Sequence, residues 1–96
     1  MPQPDRFTLV WTDTFSRTAR KFLKRHPDLV EPFTRAMKLL ERDPHSPTLR
    51  LHPLTGALKG KHAIRITYAH QVVLILRITE KEIVLLDVGS HDDVYR

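Results

Sequence analysis

The 96-residue sequence contains no cysteine. That excludes disulfide frameworks, thiolate metal clusters and cysteine nucleophiles, and it favours a reducing compartment. Long apolar stretches are also missing. The longest uninterrupted aliphatic run is Val72–Leu76, far short of the ~20 residues a membrane-spanning helix needs. The opening Met1-Pro2-Gln3-Pro4-Asp5 has neither the basic flank nor the apolar segment of a secretory signal. With no linker, repeat or low-complexity segment, the expectation is one cytoplasmic domain over residues 1–96, without a membrane partner.

Acid is scarce relative to base: 16 Lys and Arg stand against 11 Asp and Glu, for a formal charge of +5. Such a balance favours an acidic partner, although by itself it does not separate nucleic acid from an acidic protein or an anionic surface. The excess is uneven. Residues 1–50 carry ten basic and six acidic side chains, whereas residues 51–96 carry six and five.

Arg6–Trp11, rich in β-branched and aromatic side chains, reads as a first strand. Thr12 or Asp13 offers an N-cap, after which Phe15, Ala19, Phe22 and Leu23 form one stripe of a helix ending near His26-Pro27. The opposite stripe is Arg17, Arg20, Lys21, Lys24 and Arg25, with no acid between Ser16 and His26. Asp28 is placed to cap a second helix carrying Leu29, Phe33, Met37 and Leu40, with Pro32 in its first turn and Pro44 and Pro47 as its stop. The short connection implies a helical hairpin.

Beyond Leu49 the pattern is that of strands. Leu54–Gly60 reads as a bent edge segment, Ala63–Tyr68 as a strand, and Ala69-His70-Gln71 as a turn. Val72–Ile78 is then a strand, Thr79–Lys81 a turn and Glu82–Val88 the last strand. Val72–Leu76 lacks polar alternation, as expected of a central strand covered on both faces. The order β-α-α-β-β-β predicts an α+β fold, with an N-terminal strand and helical hairpin packed on a small, mostly antiparallel twisted sheet.

The second half gathers polar residues at strand ends: His52 in H-P-L-T-G, Lys59 and Lys61 in L-K-G-K, Arg65 in A-I-R-I-T-Y, and His91 and Tyr95 in G-S-H-D-D-V-Y. This inventory suits phosphodiester cleavage. Histidine titrates near working pH, with an unperturbed pKa of about 6.5, and serves proton transfer. Fixed cations meet the charge that develops on phosphorus, and an aromatic ring can stack on a base. Arg65 has opposite strand parity to Ile64, Ile66 and Tyr68, and a three-residue turn puts Val73, Ile75 and Arg77 on its face. One of Asp92 and Asp93 is placed to orient the His91 ring. His62 and His70 read as a strand-end and a turn residue. The six histidines show no helical i, i+4 pair and no ligand spacing, so no metal site is expected.

Trp11 before a basic helix, then H-P-L-T-G-A-L-K-G, A-I-R-I-T-Y and I-V-L-L-D-V-G-S-H-D-D-V-Y, together resemble the RelE/ParE superfamily of toxins from bacterial type II toxin–antitoxin modules. The H-P-L-x-G and G-S-H-x-x-x-aromatic segments are most similar to its YafQ-like, ribosome-dependent mRNA interferases. The resemblance runs from about Phe7 to Tyr95. It implies a RelE-like fold, a metal-independent endoribonuclease without cofactor, and His52, His91, Arg65 and Tyr95 as the catalytic set. It also implies Lys59 and Lys61 as a basic edge that binds RNA. The cationic stripe Arg17, Arg20, Lys21, Lys24 and Arg25 suits ribosomal RNA or an acidic antitoxin equally. Partners implied are a cognate antitoxin, the ribosome and mRNA, and operator DNA only through the antitoxin complex. Where YafQ-like members carry a histidine and an aspartate in the third-strand hairpin, this chain has Ile64–Gln71, which implies a hybrid with Arg65 as the clamp on the transition state. The alternatives are a ParE-like DNA gyrase inhibitor without nuclease activity and an inactive homologue that retains only antitoxin pairing.

Overall fold

Thr12 marks the point where the chain changes period. Its hydroxyl accepts from the Phe15 N–H at 3.1 Å, capping the first helix, and donates to the Leu85 carbonyl at 2.8 Å, tying that helix start to a distant strand. The structure, a computed structural model, describes residues 6–95. Met1–Asp5, read above for the missing secretory signal, lie outside the described residues.

Strand β1 is Thr8–Trp11, and α1 spans Asp13–Arg25. A 3-10 turn, Pro27–Leu29, leads into α2, Val30–Arg42. Asp28 does not cap α2. Pro27 opens the 3-10 turn and absorbs Asp28 into it, so the residue at the α2 N-cap is Leu29, without a side-chain cap. The expected apolar stripes are otherwise in place, with Phe15, Ala19 and Phe22 of α1 and Phe33, Met37 and Leu40 of α2 buried. Phe15 is fully buried between Trp11, edge-on at 4.8 Å, and Phe33, stacked at 6.3 Å.

Among the described residues the sheet has five strands in the order β1-β5-β4-β3-β2, with β1 parallel to β5 and every other pair antiparallel. Its members are β2 at His52–Pro53, β3 at His62–Thr67, β4 at His70–Arg77 and β5 at Glu82–Ser90. A last short helix, α3 at His91–Val94, has no counterpart in the sequence reading.

Leu54–Gly60 is not the edge strand. Edge pairing falls earlier, with His52 opposite Ala63 and Pro53 opposite His62, and the chain then leaves the sheet through a 3-10 turn at Gly56–Leu58. Gly56 and Gly60 adopt φ of +65° and +94°, a left-handed backbone that ends strand pairing there. The β3–β4 turn is Tyr68–Ala69, two residues instead of the expected three. The Thr67 hydroxyl accepts from the Ala69 N–H at 3.2 Å and meets His70 Nδ1 at 3.0 Å, which tightens the turn and delivers His70 into β4. An irregularity between Arg65 and Thr67 compensates for the missing turn residue. Arg65 consequently faces Gln71 and Ala63 faces Val73, keeping Val73 on the Arg65 side as expected.

The two faces of β4 bury different clusters. Val72 and Leu74 join both helices in the main core, while Val73 packs with Leu54, Ala63 and Val94 on the opposite face. The second cluster is closed by α3 and the segment after β2, so a sheet face that the helices leave open is partly covered by the C-terminal turn.

Candidate functional site

Four side chains singled out in the sequence line one cleft of about 290 Å³: His52, Arg65, His91 and Tyr95. They come from β2, β3, the first residue of α3 and the residue after α3, elements brought together only by the sheet order. Thr67, Tyr68, Ala69, His70 and Gln71 complete the wall.

His52 is exposed, and its Nδ1 lies 2.8 Å from the Arg50 carbonyl. A carbonyl only accepts, so Nδ1 carries a proton and, in the neutral ring, the lone pair sits on Nε2. Arg50 follows the 3-10 turn Pro47–Leu49 with φ of 51°, the left-handed bend from which its carbonyl meets the ring.

His91 begins α3 behind a reciprocal cap. The Asp93 N–H donates to Ser90 Oγ at 3.3 Å and the Ser90 N–H donates to Asp93 Oδ2 at 3.1 Å. Asp93 is therefore engaged by the cap. Asp92 Oδ1 lies 3.9 Å from His91 Nδ1, beyond hydrogen-bond length, with both side chains largely in solvent. What orients the His91 ring is Tyr95, one helical turn on, with ring centroids 4.2 Å apart and planes tilted by 36°. Tyr95 is itself half-buried against the second core cluster. The close return of α3 needs Gly89, because a Cβ there would lie 2.8 Å from the Cβ of Asp93.

His70, read from the sequence as a turn residue, belongs to the cleft. Its ring centroid is 5.0 Å from that of His26 and 5.2 Å from that of Phe22. Burial lowers its pKa below 6.5, His26 lowers it further, and Asp93 and Asp28 pull the other way. Gln71 was also missed. Both become visible once Thr67 is recognised as the start of a two-residue turn, which places Gln71 in a strand with the parity of Val73.

Lys59 and Lys61 do not reach the cleft. The left-handed glycines Gly56 and Gly60 turn their segment out of the sheet, leaving Lys59 exposed and Lys61 half-buried in the loop. The cationic stripe of α1 divides in two. Arg17, Lys21 and Arg25, four residues apart, line a second groove of about 610 Å³ with His26, facing Asp87, Gly89 and Asp93. Arg20 and Lys24 are exposed outside that groove. Since His26 borders the groove and His70 the cleft, their ring contact joins the two. Among the described residues no group of three or more His, Asp or Glu side chains is placed to hold a metal ion. No helix among them is long and apolar enough to cross a membrane.

Residues 7–96 match the family model described as bacterial toxin of type II toxin-antitoxin system, YafQ. Among solved structures, YafQ from Escherichia coli strain BL21(DE3) superposes with a TM-score of 0.79 at 19% identity, covering 95% of this chain and 100% of that one. The toxin in the E. coli DinJ-YafQ toxin-antitoxin complex gives 0.77 at 19% identity, covering 95% and 99%. A metal-bound toxin from Helicobacter pylori gives 0.75 at 22% identity, covering 93% and 99%. At these identities the superpositions establish the fold. No curated protein is a significant match in sequence.

Proposed function

The chain belongs to the YafQ family of bacterial toxins from type II toxin–antitoxin systems, and from that premise we propose that it is an endoribonuclease that cuts mRNA on the ribosome without a metal ion. The observation that carries this reading is the meeting of His52, Arg65, His91 and Tyr95 in one cleft. These are the groups that internal transesterification needs. His52 Nε2, freed as acceptor by the Nδ1 contact to Arg50, takes the proton of the 2′-hydroxyl. The 2′-oxygen attacks phosphorus while Arg65 meets the charge on the pentacoordinate phosphorane. His91, held against Tyr95, gives a proton to the departing 5′-oxygen. The P–O5′ bond breaks, leaving a 2′,3′-cyclic phosphate and a 5′-hydroxyl.

In this reading the α1 groove holds ribosomal RNA phosphate through Arg17, Lys21 and Arg25, with Arg20 and Lys24 as flanking charge. Lys59 and Lys61 meet RNA only outside the cleft. The whole chain acts as one toxin domain without a cofactor. It pairs with a cognate antitoxin, as the E. coli relative does in its DinJ complex, and in this reading it reaches operator DNA only when paired with its own antitoxin.

A translation assay with 5′-end mapping of the mRNA tests the proposal. Cleavage by the purified chain, lost in His91→Ala and His52→Ala, supports it. Arrest of synthesis with intact mRNA overturns it, and gyrase-dependent DNA breaks in place of mRNA cuts would establish the ParE-like alternative.

A further inference from the structure

We propose that Gln71 reads the substrate: its side-chain amide donates a hydrogen bond to an acceptor oxygen of the RNA strand lying between His52, Arg65 and His91. The inference rests on the endoribonuclease reading above. Gln71 is the second residue of the central strand β4, opposite Arg65 on β3 and Gly89 on β5. It therefore stands in the middle of the cleft wall, and Gly89 contributes no side chain beside it.

Its amide nitrogen is buried and has no hydrogen-bond partner among the described residues. The other atom in that condition, His62 Nδ1, belongs to a residue that does not line the cleft. Buried amide donors are nearly always paired, because leaving one unpaired forfeits its hydration without return. The next three residues of β4, Val72, Val73 and Leu74, are all buried and apolar, so an aliphatic side chain would suit the fold at least as well as glutamine. A polar group kept there against the interest of folding has its partner outside the chain.

The terminal torsion of glutamine is broad and roughly twofold, so the amide nitrogen of this cleft-lining residue can be redirected without backbone movement. Arg65 and the two histidines already serve the charge and protons of the scissile phosphate. A neutral donor beside them suits either a non-bridging phosphate oxygen or a base carbonyl, both of them acceptor oxygens of the same strand.

The test compares the full-length wild type, Gln71→Leu and Gln71→Glu by thermal unfolding and by ribosomal mRNA cleavage with 5′-end mapping. Gln71→Leu is expected to melt at or above the wild-type temperature and yet to cleave about ten- to a hundredfold more slowly. Gln71→Glu, which replaces the donor by an acceptor, is expected to fall at least as far. A loss uniform over all cut positions assigns the amide to phosphate, and a redistribution among positions assigns it to a base. Wild-type cleavage by Gln71→Leu, in rate and in distribution, overturns the inference. So does a lowered melting temperature in that variant, which would mean that the amide is satisfied within the fold. If the wild type itself leaves mRNA intact, the endoribonuclease reading fails and takes this inference with it.

Discussion

The strand-end cleft and the α1 groove lie side by side, joined through His26 and His70, but they are built in opposite ways. The groove draws its cations from a single helix. Arg17, Lys21 and Arg25 repeat every four residues and share a face by helix geometry alone. The cleft takes its four central side chains from β2, β3, α3 and the residue beyond, with the two histidines held by specific local contacts: His52 by the Arg50 carbonyl, His91 by the Tyr95 ring. Local periodicity suffices to collect charge for binding. Placing proton donors and acceptors around a reacting phosphate requires converging elements, because the chemistry tolerates little misplacement.

That contrast breaks most sharply at the histidines. His52→Ala and His91→Ala should each lower the cleavage rate by about 10²- to 10⁴-fold, with binding to ribosomes little changed, measured by single-turnover cleavage beside a binding assay. Equal losses in rate and in affinity would erase the division between cleft and groove.

Gly89→Ala acts on the scaffold of the cleft. The added Cβ meets the Asp93 Cβ at 2.8 Å, so α3 must shift and carry His91 and Tyr95 with it. A destabilisation of about 1–3 kcal/mol in denaturant melts is expected, together with slower cleavage. Unchanged stability and rate would show that α3 does not set the site.

Removing the groove's cations should act on binding. Arg17→Ala, Lys21→Ala and Arg25→Ala together should weaken ribosome association most at low salt and flatten its salt dependence. The decrease in slope is about 0.7 per lost single-strand phosphate contact, read from affinities across a salt series. The matching Arg20→Ala and Lys24→Ala pair, outside the groove, should change the slope less.

The smallest effect belongs to His70, at the junction of the two regions. Its pKa is lowered in the folded protein by burial and by His26, against the pull of Asp93 and Asp28. The unfolded chain thus binds this proton first as pH falls. The contribution to stability is present above about 6.5 and is lost as pH falls through the lower folded value. Denaturant melts at successive pH values should show a shallower acid decline in His70→Asn than in the wild type.

Most elements were legible in the sequence because their signals are local: the Thr12 cap, the stripes Phe15-Ala19-Phe22 and Phe33-Met37-Leu40, and the apolar run Val72–Leu76. What escaped depended on backbone detail that the same patterns do not encode. The Thr67 hydroxyl shortened a turn and moved His70 into a strand, Gly56 and Gly60 ended an expected edge segment, and Pro27 drew Asp28 into a 3-10 turn. The cleft was half visible: the polar residues at strand ends included His52, Arg65, His91 and Tyr95, and the family resemblance singled these four out, whereas Lys59 and Lys61, which the same resemblance implied as an RNA-binding edge, lie outside the cleft.

The sequence by itself determined the uneven charge, the cationic face of α1 and the α+β order of elements, because these follow from composition and from the fixed periods of helix and strand. Only the tertiary structure decided which polar residues share a space. Strand order and register bring His52, Arg65 and Gln71 together, and the fold-back of α3 at Gly89 adds His91 and Tyr95. Contacts between residues tens of positions apart are set by packing and hydrogen bonding across the sheet, for which no local period exists.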